Sequence, residues 1–526
     1  MIRNFSLAVV TFFITALFSM TYAQPNPMHP KNEFRAVWIA TVVNIDWPKT
    51  STDAVAKQKE DYIEILDAYK KLNYNVVIVQ VRSVGDAFYP SKFAPWSRYL
   101  TGKEGKAPDP YYDPLEWMIT QAHMRGFEFH AWFNPFRATF DLKKETLSPN
   151  HDMVKHPEWM IKYGEKYYYN PGLPEVQSQL VAVVEEVVRN YDIDAVHFDD
   201  YFYPYKIAGL DFNDTAAYKK YGNGLSLADW RRLNTNNYVK CTNYAIKNIK
   251  PWVQFGISPF GVWRNKSVDP KGSDTQSGQT NYDDLFADPM AWMEYKWVDY
   301  ILPQLYWSIE HKTASYSKLL KWWSENSNGN AAVYIGNSSY KINTDSDKKW
   351  NNPTEIPNQI NLNRSYKNIQ GNGFFSAKWF LNNSNKTVTS ILANNQYKYP
   401  ALPNVVPGFR FKVEDIPVVW DITTDADIAD IILKFPEYDK MRYVIVYGAK
   451  DSTKIDVSNP ANIIDKITII EKKGSIGISV PKIYLEKHSS CAISYIDYYG
   501  NESEATLLSM TKNSKTILNQ ITNDKK

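Results

Sequence analysis

Short apolar runs alternate with longer amphipathic stretches along most of the chain. The short runs are rich in β-branched and aromatic residues, which is typical of buried strands, and the longer stretches have helical spacing. The predicted strands are residues 34–41, 75–82, 127–134, 195–198, 253–258, 300–307, 332–336 and 373–377. The predicted helices are residues 53–72, 114–125, 174–191, 227–249, 289–296, 313–324, 356–369 and 388–394. Eight successive strand–helix units predict an α/β fold, a (β/α)8 TIM barrel over residues 31–398.

The pattern changes after residue 398. A Pro-rich linker at 399–407 leads into short segments that alternate polar and apolar residues and contain no long helix. Strands are predicted there at residues 418–422, 430–435, 443–447, 467–471, 476–480 and 492–498. They predict a small all-β sandwich over residues 408–510, for which structural packing is favoured over weak glycan contact. Residues 511–526 have the Lys-rich composition of a loose tail.

The first 23 residues have the pattern of a signal peptide. Arg3 supplies the positive start, residues 7–18 are apolar, and Thr21 to Ala23 offer a cleavage site. The apolar run is too short for a comfortable transmembrane helix, and no other stretch approaches a membrane span. We therefore expect an exported protein, in a periplasm or outside the cell, that is soluble after cleavage.

Composition narrows the classes of partner. Aromatic residues make up 15% of the chain, with 17 Trp and 37 Tyr, and flat rings beside polar groups suit the faces of sugars. A net charge of +3 over 526 residues gives no indication of a nucleic-acid partner. The two cysteines, Cys241 and Cys491, provide neither a disulfide framework nor a cysteine-based metal site. We expect a polysaccharide substrate, no cofactor and a monomer.

Polar side chains collect at the carboxyl ends of five predicted strands. Residues two apart lie on the same face of a strand, and several of these polar residues are two apart in the sequence. The polar strand ends are Gln80 and Arg82; His130, Trp132 and Asn134; His197 and Asp199; Gln304 and Tyr306; Ser376 and Lys378. A closed core would bury these groups at a cost, so they predict an open polar site where barrel enzymes bind substrate.

Two adjacent carboxylates, Asp199 and Asp200, follow strand four. Glycoside hydrolysis needs one carboxyl group to protonate the leaving oxygen and a second as nucleophile or base. Because side chains alternate along a strand, Asp199 is predicted to face the barrel mouth and Asp200 the loop. Asp199 is therefore predicted to be the nucleophile or base. His197 and Arg82 are expected to hold Asp199 ionised. Three candidates for the acid remain open: Asp86, Asp200 and Glu310.

Other interpretations of the same residues remain open. The two aspartates could instead form structural ion pairs with Arg82 or Lys378. A barrel with aromatic loops and no acid after strand five could bind a glycan without cutting it. Either alternative leaves the fold unchanged and removes the catalytic role.

A metal-dependent carbohydrate deacetylase is a further alternative. His130, His197 and Asp199 lie on neighbouring predicted strands and could form a ligand set. However, strand one has no paired-His motif, and His151 and His156 are five residues apart instead of the expected four. No metal is therefore predicted.

Six segments carry a resemblance to a known family. They are EFRAVWIATVVNIDWP at 33–48, VQVRSVGDAFYPS at 79–91, FHAWFNPFR at 129–137, AVHFDDYFYPY at 195–205, ISPFGVWRN at 257–265 and DYILPQLYW at 299–307. In this order they resemble the glycosyl-hydrolase-like family ten, exported bacterial proteins formerly classed as a domain of unknown function. The resemblance implies a TIM-barrel glycosidase-like domain, often followed by a fibronectin type III-like sandwich. It also implies a substrate class, since some members act on bacterial cell-wall glycan strands stripped of their peptides.

The sequence departs from related patterns at three positions. Ser83 stands where the family more often has Pro. Strand four also resembles the nucleophile strand of α-amylase-type barrels, with His197 where an Arg would stand and Asp199 at the nucleophile position. Strand five lacks the acid of that group, so its mechanism is not carried over whole. The residues expected to contact sugar are Arg82, His130, Trp132, Asn134, His197, Tyr201, Trp263, Arg264, Gln304, Tyr306, Trp307 and Lys378.

Overall fold

The structure is a computed structural model of the 526-residue chain. It describes residues 29–413, 416–424, 427–434, 440–450, 455–469 and 475–508. The predicted signal peptide and the predicted tail lie outside these residues. Within them, every helix is too short or too polar to cross a membrane.

Eight parallel strands close into a barrel, which confirms the predicted fold. They are β1 Phe34–Ile39, β2 Val76–Arg82, β3 Glu128–Phe133, β4 Ala195–Phe198, β5 Gln254–Ile257, β6 Tyr300–Ile301, β7 Ala332–Ser338 and β8 Ile369–Phe375. Each strand pairs with the next along the chain, and β8 closes the barrel on β1. Strand β6 is shorter than predicted because Pro303 has no N–H to donate to the sheet. Gln304, just beyond it, still bridges to both neighbouring strand ends.

Helices cover the outside of the barrel. They are α1 Val55–Lys71, α2 Arg98–Thr101, α3 Pro114–Met124, α4 Asp152–Lys155, α5 Pro174–Asn190, α6 Thr215–Tyr221, α7 Leu227–Ile249, α8 Asn281–Asp284, α9 Pro289–Glu294, α10 Tyr316–Glu325, α11 Glu355–Arg364, α12 Ala377–Leu381 and α13 Lys386–Asn394. Local chemistry sets their starts: Asp113 accepts two backbone N–H groups at the start of α3, and Ser226 accepts one at the start of α7. The apolar faces of the longer helices α1, α3, α5, α7 and α10 pack on the outer face of the strands and form the largest core of the described residues.

The second domain is an antiparallel sandwich, as predicted. Its strands are β9 Val418–Thr424, β10 Ile428–Lys434, β11 Met441–Ala449, β12 Ile463–Thr468, β13 Ser475–Pro481, β14 Ser490–Asp497 and β15 Thr506–Leu508, with a short helix α14 at Lys482–Glu486. One sheet has the order β9-β10-β13 and the other β12-β11-β14-β15. Ile431 and Leu433 from the first sheet share a core with Val444 and Ile493 from the second. The fibronectin type III-like assignment stays a prediction.

Arg442 on β11 joins the sandwich to the barrel. It is almost fully buried, and its guanidinium lies 2.7 Å from Asp192 Oδ2 and 2.6 Å from Asp194 Oδ1. Both aspartates precede β4, at the amino-terminal end of the barrel. Burial raises the pKa of Asp194, but Arg442 and His123 outweigh it and hold that pKa below its ordinary value. The sandwich therefore packs against the end of the barrel opposite the expected substrate site.

This contact predicts a large effect of one substitution on stability. Arg442→Met leaves the buried Asp194 without its guanidinium partner, so the free energy of unfolding should fall by about 3–5 kcal/mol. Chemical denaturation at neutral pH measures the change. Lys70→Met is the matched control because Lys70 forms an exposed pair with Asp465 of the sandwich, and it should cost at most about 1 kcal/mol. Equal effects of the two substitutions would contradict the role of Arg442.

Candidate active site

A cavity of about 410 Å³ opens at the carboxyl ends of the barrel strands. Its size is within the range of ligand-binding pockets. The lining residues are Trp38, Val42, Val43, Ile45, Gln80, Trp132, Arg137, Phe140, Asp199, Asp200, Tyr201, Tyr205, Ser258, Gln304, Tyr306, Tyr340 and Phe375. The cavity thus combines aromatic walls, two amide side chains, two carboxyl groups and one guanidinium.

Asp199 lies in the cavity with three N–H groups directed at it. The indole Nε1 of Trp132 donates to Oδ2 at 3.0 Å, and Asn134 Nδ2 donates to the same oxygen at 2.9 Å. The backbone N–H of Tyr201 donates to Oδ1 at 3.2 Å. Trp132 and Asn134 flank the end of β3, which pairs with β4, so the barrel itself aligns these donors. They favour the ionised form of Asp199 and replace the predicted partners His197 and Arg82.

Asp200 lines the same cavity, which corrects the prediction that it turns toward the loop. Strand β4 ends at Phe198, so the alternation of side chains stops before the two aspartates. The backbone turns back at once, and Phe202 N donates to the carbonyl of Asp200 at 3.0 Å. The Asp200 carboxyl is hydrogen-bonded to Tyr205 Oη and to Gln304.

Burial controls the ionisation of both acids. Burial and, to a lesser extent, the charge of Asp200 raise the pKa of Asp199 to about 7, while Arg137 and the N–H donors oppose this rise. Burial likewise raises the pKa of Asp200 to about 6, against the hydrogen bond from Tyr205. Near neutral pH the pair is therefore partly protonated. One carboxylic acid and one carboxylate are then available together, as in other coupled pairs of active-site acids.

Arg137 supplies the positive charge of the cavity. The alternation of side chains along the strands did not predict that this residue lines the site. It lies beyond the end of β3, where residues two apart no longer share a face. Its Nε and Nη2 both donate to the carbonyl of Ser83, at 3.1 and 3.0 Å. Its guanidinium also lies near the rings of Phe140 and Tyr201. The segment FHAWFNPFR, already notable in the sequence, was the available signal.

The predicted contacts His130 and His197 lie beneath the cavity, inside the barrel. Both ring Nδ1 atoms lie 2.9 Å from Tyr300 Oη. Trp38 Nε1 donates to His197 Nε2 at 3.3 Å, and burial lowers the pKa of His197 well below its ordinary value. His197 is therefore a neutral acceptor that orients Trp38, which does line the cavity. Their alternation on β3 and β4 was predicted correctly, but their depth in the barrel was not.

Arg82 also lies outside the cavity, although Gln80 on the same strand lines it. The pairing of β2 with β3 shifts register between these two residues, so they no longer share a face. Arg82 instead donates to Tyr169 Oη at 3.2 Å and to the carbonyl of Asp86 at 3.3 Å. The bulge leaves Gln80 as the cavity residue of β2.

Two of the three candidate acids are elsewhere. Asp86 is buried outside the cavity, where its Oδ1 accepts the backbone N–H of Val84 at 3.1 Å. The side chain of Glu310 is 81% exposed and faces Lys349. Asp200 is therefore the one candidate of the three that shares the cavity with Asp199.

The other predicted sugar contacts divide into two groups. Those that line the cavity are Trp132, Tyr201, Gln304 and Tyr306, and Asn134 reaches it through Asp199. Those that lie outside it are Trp263, Arg264, Trp307 and Lys378. Trp263 stacks on Trp322, Arg264 pairs with Asp269 and Asp283, and Lys378 is exposed. Their motifs follow strands, but the loops direct these side chains elsewhere.

Several aromatic residues of the cavity were missed. Trp38 shares a face of β1 with Ala36 and Ala40, so the alternation of β1 was a usable signal. Tyr205 belongs to the aromatic stretch after β4. Tyr340 lies in the loop after β7 and Phe375 at the end of β8, and nothing in their spacing points to a site.

The alternative metal ligand set is not assembled. His130 and His197 face Tyr300, whereas Asp199 faces its N–H donors. In the part of the chain that the structure describes, no three His, Cys, Asp or Glu side chains are arranged to hold a metal ion. The geometry thus gives no support to the deacetylase interpretation.

A sequence comparison decides the family. The family described as Glycosyl hydrolase-like 10 matches residues 33–352, which include every barrel strand through β7 and both cavity aspartates. The chain belongs to this family. The resemblance seen in the six sequence segments is therefore confirmed.

Two relatives and one solved structure are similar to this chain. Glycosyl hydrolase YngK of Bacillus subtilis (strain 168) is 48% identical over 426 residues, covering 80% of this chain and 81% of YngK. Glycosyl hydrolase DigH of Escherichia coli (strain K12) is 40% identical over 364 residues, covering 65% of this chain and 82% of DigH. Among solved structures, the PgaB (BpsB) glycoside hydrolase domain of Bordetella bronchiseptica aligns with a TM-score of 0.45 and 11% identity. It covers 69% of this chain and 99% of that domain.

The buried acid of this Glycosyl hydrolase-like 10 protein predicts a pH-dependent stability. The pKa of Asp199 is about 7 in the fold and about 3.9 in an unfolded chain. Its contribution to stability is therefore fully present below pH 4 and lost as the pH rises to 7. Relative to wild type, Asp199→Asn should gain up to about 1.4 kcal/mol of unfolding free energy per pH unit in that window. Urea denaturation between pH 4 and pH 8 measures this.

Glu310→Gln removes an exposed carboxyl and controls for the change in net charge. A difference between Asp199→Asn and wild type that does not vary with pH would contradict the raised pKa.

Proposed function

We propose that this protein is an exported glycoside hydrolase that cuts a polysaccharide by carboxyl-group chemistry. The observation that carries the proposal is a pair of buried carboxyl groups with raised pKa values in an aromatic-walled cavity. Membership of a glycosyl hydrolase-like family supports the general class. Export rests on the predicted signal peptide.

In the proposed mechanism, Asp199 acts as the carboxylate. Its three N–H donors stabilise negative charge, which suits a nucleophile or a base that activates water. Asp200 is the acid that protonates the leaving glycosidic oxygen, because it shares the cavity and burial raises its pKa to about 6. The pKa of Asp199 is the higher of the two, so the assignment of roles rests on the N–H donors around Asp199 and on the shared cavity, and not on the order of the pKa values.

The walls of the cavity fit a sugar chain. Trp38, Trp132, Tyr306 and Phe375 offer ring faces and edges to the C–H surfaces of pyranose rings. Gln80 and Gln304 add amide groups, which can hold hydroxyl groups in a fixed orientation. The same mixture would also serve a protein that binds glycan without cleavage, so the acids decide between the two functions.

The proposed substrate is the glycan strand of bacterial peptidoglycan after removal of its peptides. The family resemblance implies this class, and an exported protein would meet the cell wall. The cavity offers one cation, Arg137, beside two acids.

The proposed mechanism predicts the effect of replacing each acid singly. Asp199→Asn and Asp200→Asn should each lower turnover on purified peptide-free glycan strands by at least about 10²-fold, because each removes a group that transfers a proton or attacks carbon. The rate at which new reducing ends appear measures turnover. Circular dichroism and glycan affinity check that each variant is folded.

Glu310→Gln is the matched control, since Glu310 is a predicted acid that lies outside the cavity, and its turnover should stay within about twofold of wild type. Wild-type binding of strands with no new reducing ends after long incubation would favour the non-catalytic alternative. Release of acetate without chain cleavage would favour a deacetylase.

A further inference from the structure

Arg137 is the one basic side chain among the described residues that line the cavity. Its charge influences Asp199 and Asp200, lowering the pKa of each. Yet neither aspartate forms a direct ion pair with its guanidinium, whereas the described Arg98 and Arg231 each pair with an aspartate. The cavity therefore holds a cation that is not neutralised by direct contact with its acids.

The guanidinium of Arg137 is fixed before any ligand arrives. Two of its nitrogens are bound to the Ser83 carbonyl, and its backbone N–H donates to Asn134 Oδ1 at 3.1 Å. The ring centroids of Phe140 and Tyr201 lie 5.7 and 5.3 Å from Arg137 Cζ. The residue is only 8% exposed. No described side chain accepts a hydrogen bond from its Nη1, so a rigid and largely desolvated donor remains for a ligand.

We propose that Arg137 binds a carboxylate carried by the substrate sugar, and so selects glycan strands whose peptides have been removed. This inference rests on the proposed function. In such strands the lactyl ether of each muramic residue ends in a free carboxylate. In strands that keep their peptides, the same carbon is an uncharged amide that continues into the stem.

Electrostatics explains why such a substrate needs this residue. A sugar carboxylate that enters beside Asp199 and Asp200 would be repelled by any negative charge on them. A guanidinium in a site of low dielectric offsets that repulsion and forms a charge-assisted hydrogen bond. An uncharged amide gains much less from the same donor.

The test compares two versions of one substrate, using the full mature chain. Peptide-free glycan strands are used as purified, or after chemical reduction of the lactyl carboxyl group to an alcohol. Wild type should lose at least about tenfold in kcat/KM on the reduced strands, since a built polar site rejects a substrate that lacks the group it binds. Arg137→Met should be slower on intact strands and should cut both kinds at equal rates. Arg137→Lys should recover part of the discrimination.

The ratio of the rates on intact and reduced strands separates recognition of the sugar carboxylate from any effect of Arg137 on the ionisation of Asp199 and Asp200. Arg137 also affects the pKa values of the acids, but that effect is common to both substrates and cancels in the ratio. Arg264→Met is the matched control, because Arg264 lies outside the cavity, and it should keep the wild-type ratio. Equal wild-type rates on intact and reduced strands would overturn the inference and leave the proposed hydrolysis standing.

If neither substrate is cleaved, a measurement of binding affinity tests the role of Arg137. The proposed hydrolysis would then fail, and calorimetric titration of the same strands would replace the kinetic ratio. A wild-type preference for intact strands that disappears in Arg137→Met would support the role of Arg137. Equal affinities in wild type would overturn it.

Discussion

The candidate active site depends on the burial of two adjacent carboxyl groups at the end of one strand. Asp199 and Asp200 are each less than 5% exposed, and a buried carboxylate is unstable without hydrogen bonds. The donors come from β3, from the loop after β4 and from the segment after β6, which meet only when the barrel is closed. The raised pKa values are thus a property of the whole barrel, and they give the site its acid–base chemistry.

The strand that bears these acids is held at both ends. At its amino-terminal end, Asp192 and Asp194 form ion pairs with Arg442 of the sandwich. At its carboxyl end, Trp132 and Asn134 hold Asp199. Arg442 of the sandwich therefore contacts the segment before β4, at the end of the barrel away from the cavity. This arrangement agrees with the structural packing role that the sequence favoured for the second domain.

The sequence predicted the barrel well because period-two and helical patterns report which faces are buried. It also placed Asp199 in the site from the alternation of side chains along strand four, and it named Asp200 among the candidate acids. It failed where the chain leaves regular geometry. The register shift in β2 places Arg82 outside the cavity. Strand β4 ends at Phe198, and Asp200 beyond it lines the cavity. Arg137 lines the cavity from a loop, where strand alternation makes no prediction. Depth along the barrel axis is likewise absent from a linear pattern, so His197 was placed in the mouth and not beneath it.

The most direct test of the account is mass spectrometry of the products after the protein is incubated with peptidoglycan strands with and without their peptides. Cleavage of a glycosidic bond adds one water to each pair of fragments and leaves the acetyl groups in place. The account predicts such fragments from peptide-free strands and few or none from strands that keep their peptides. Strands that stay at full length, or that lose acetyl mass without being cut, would contradict it.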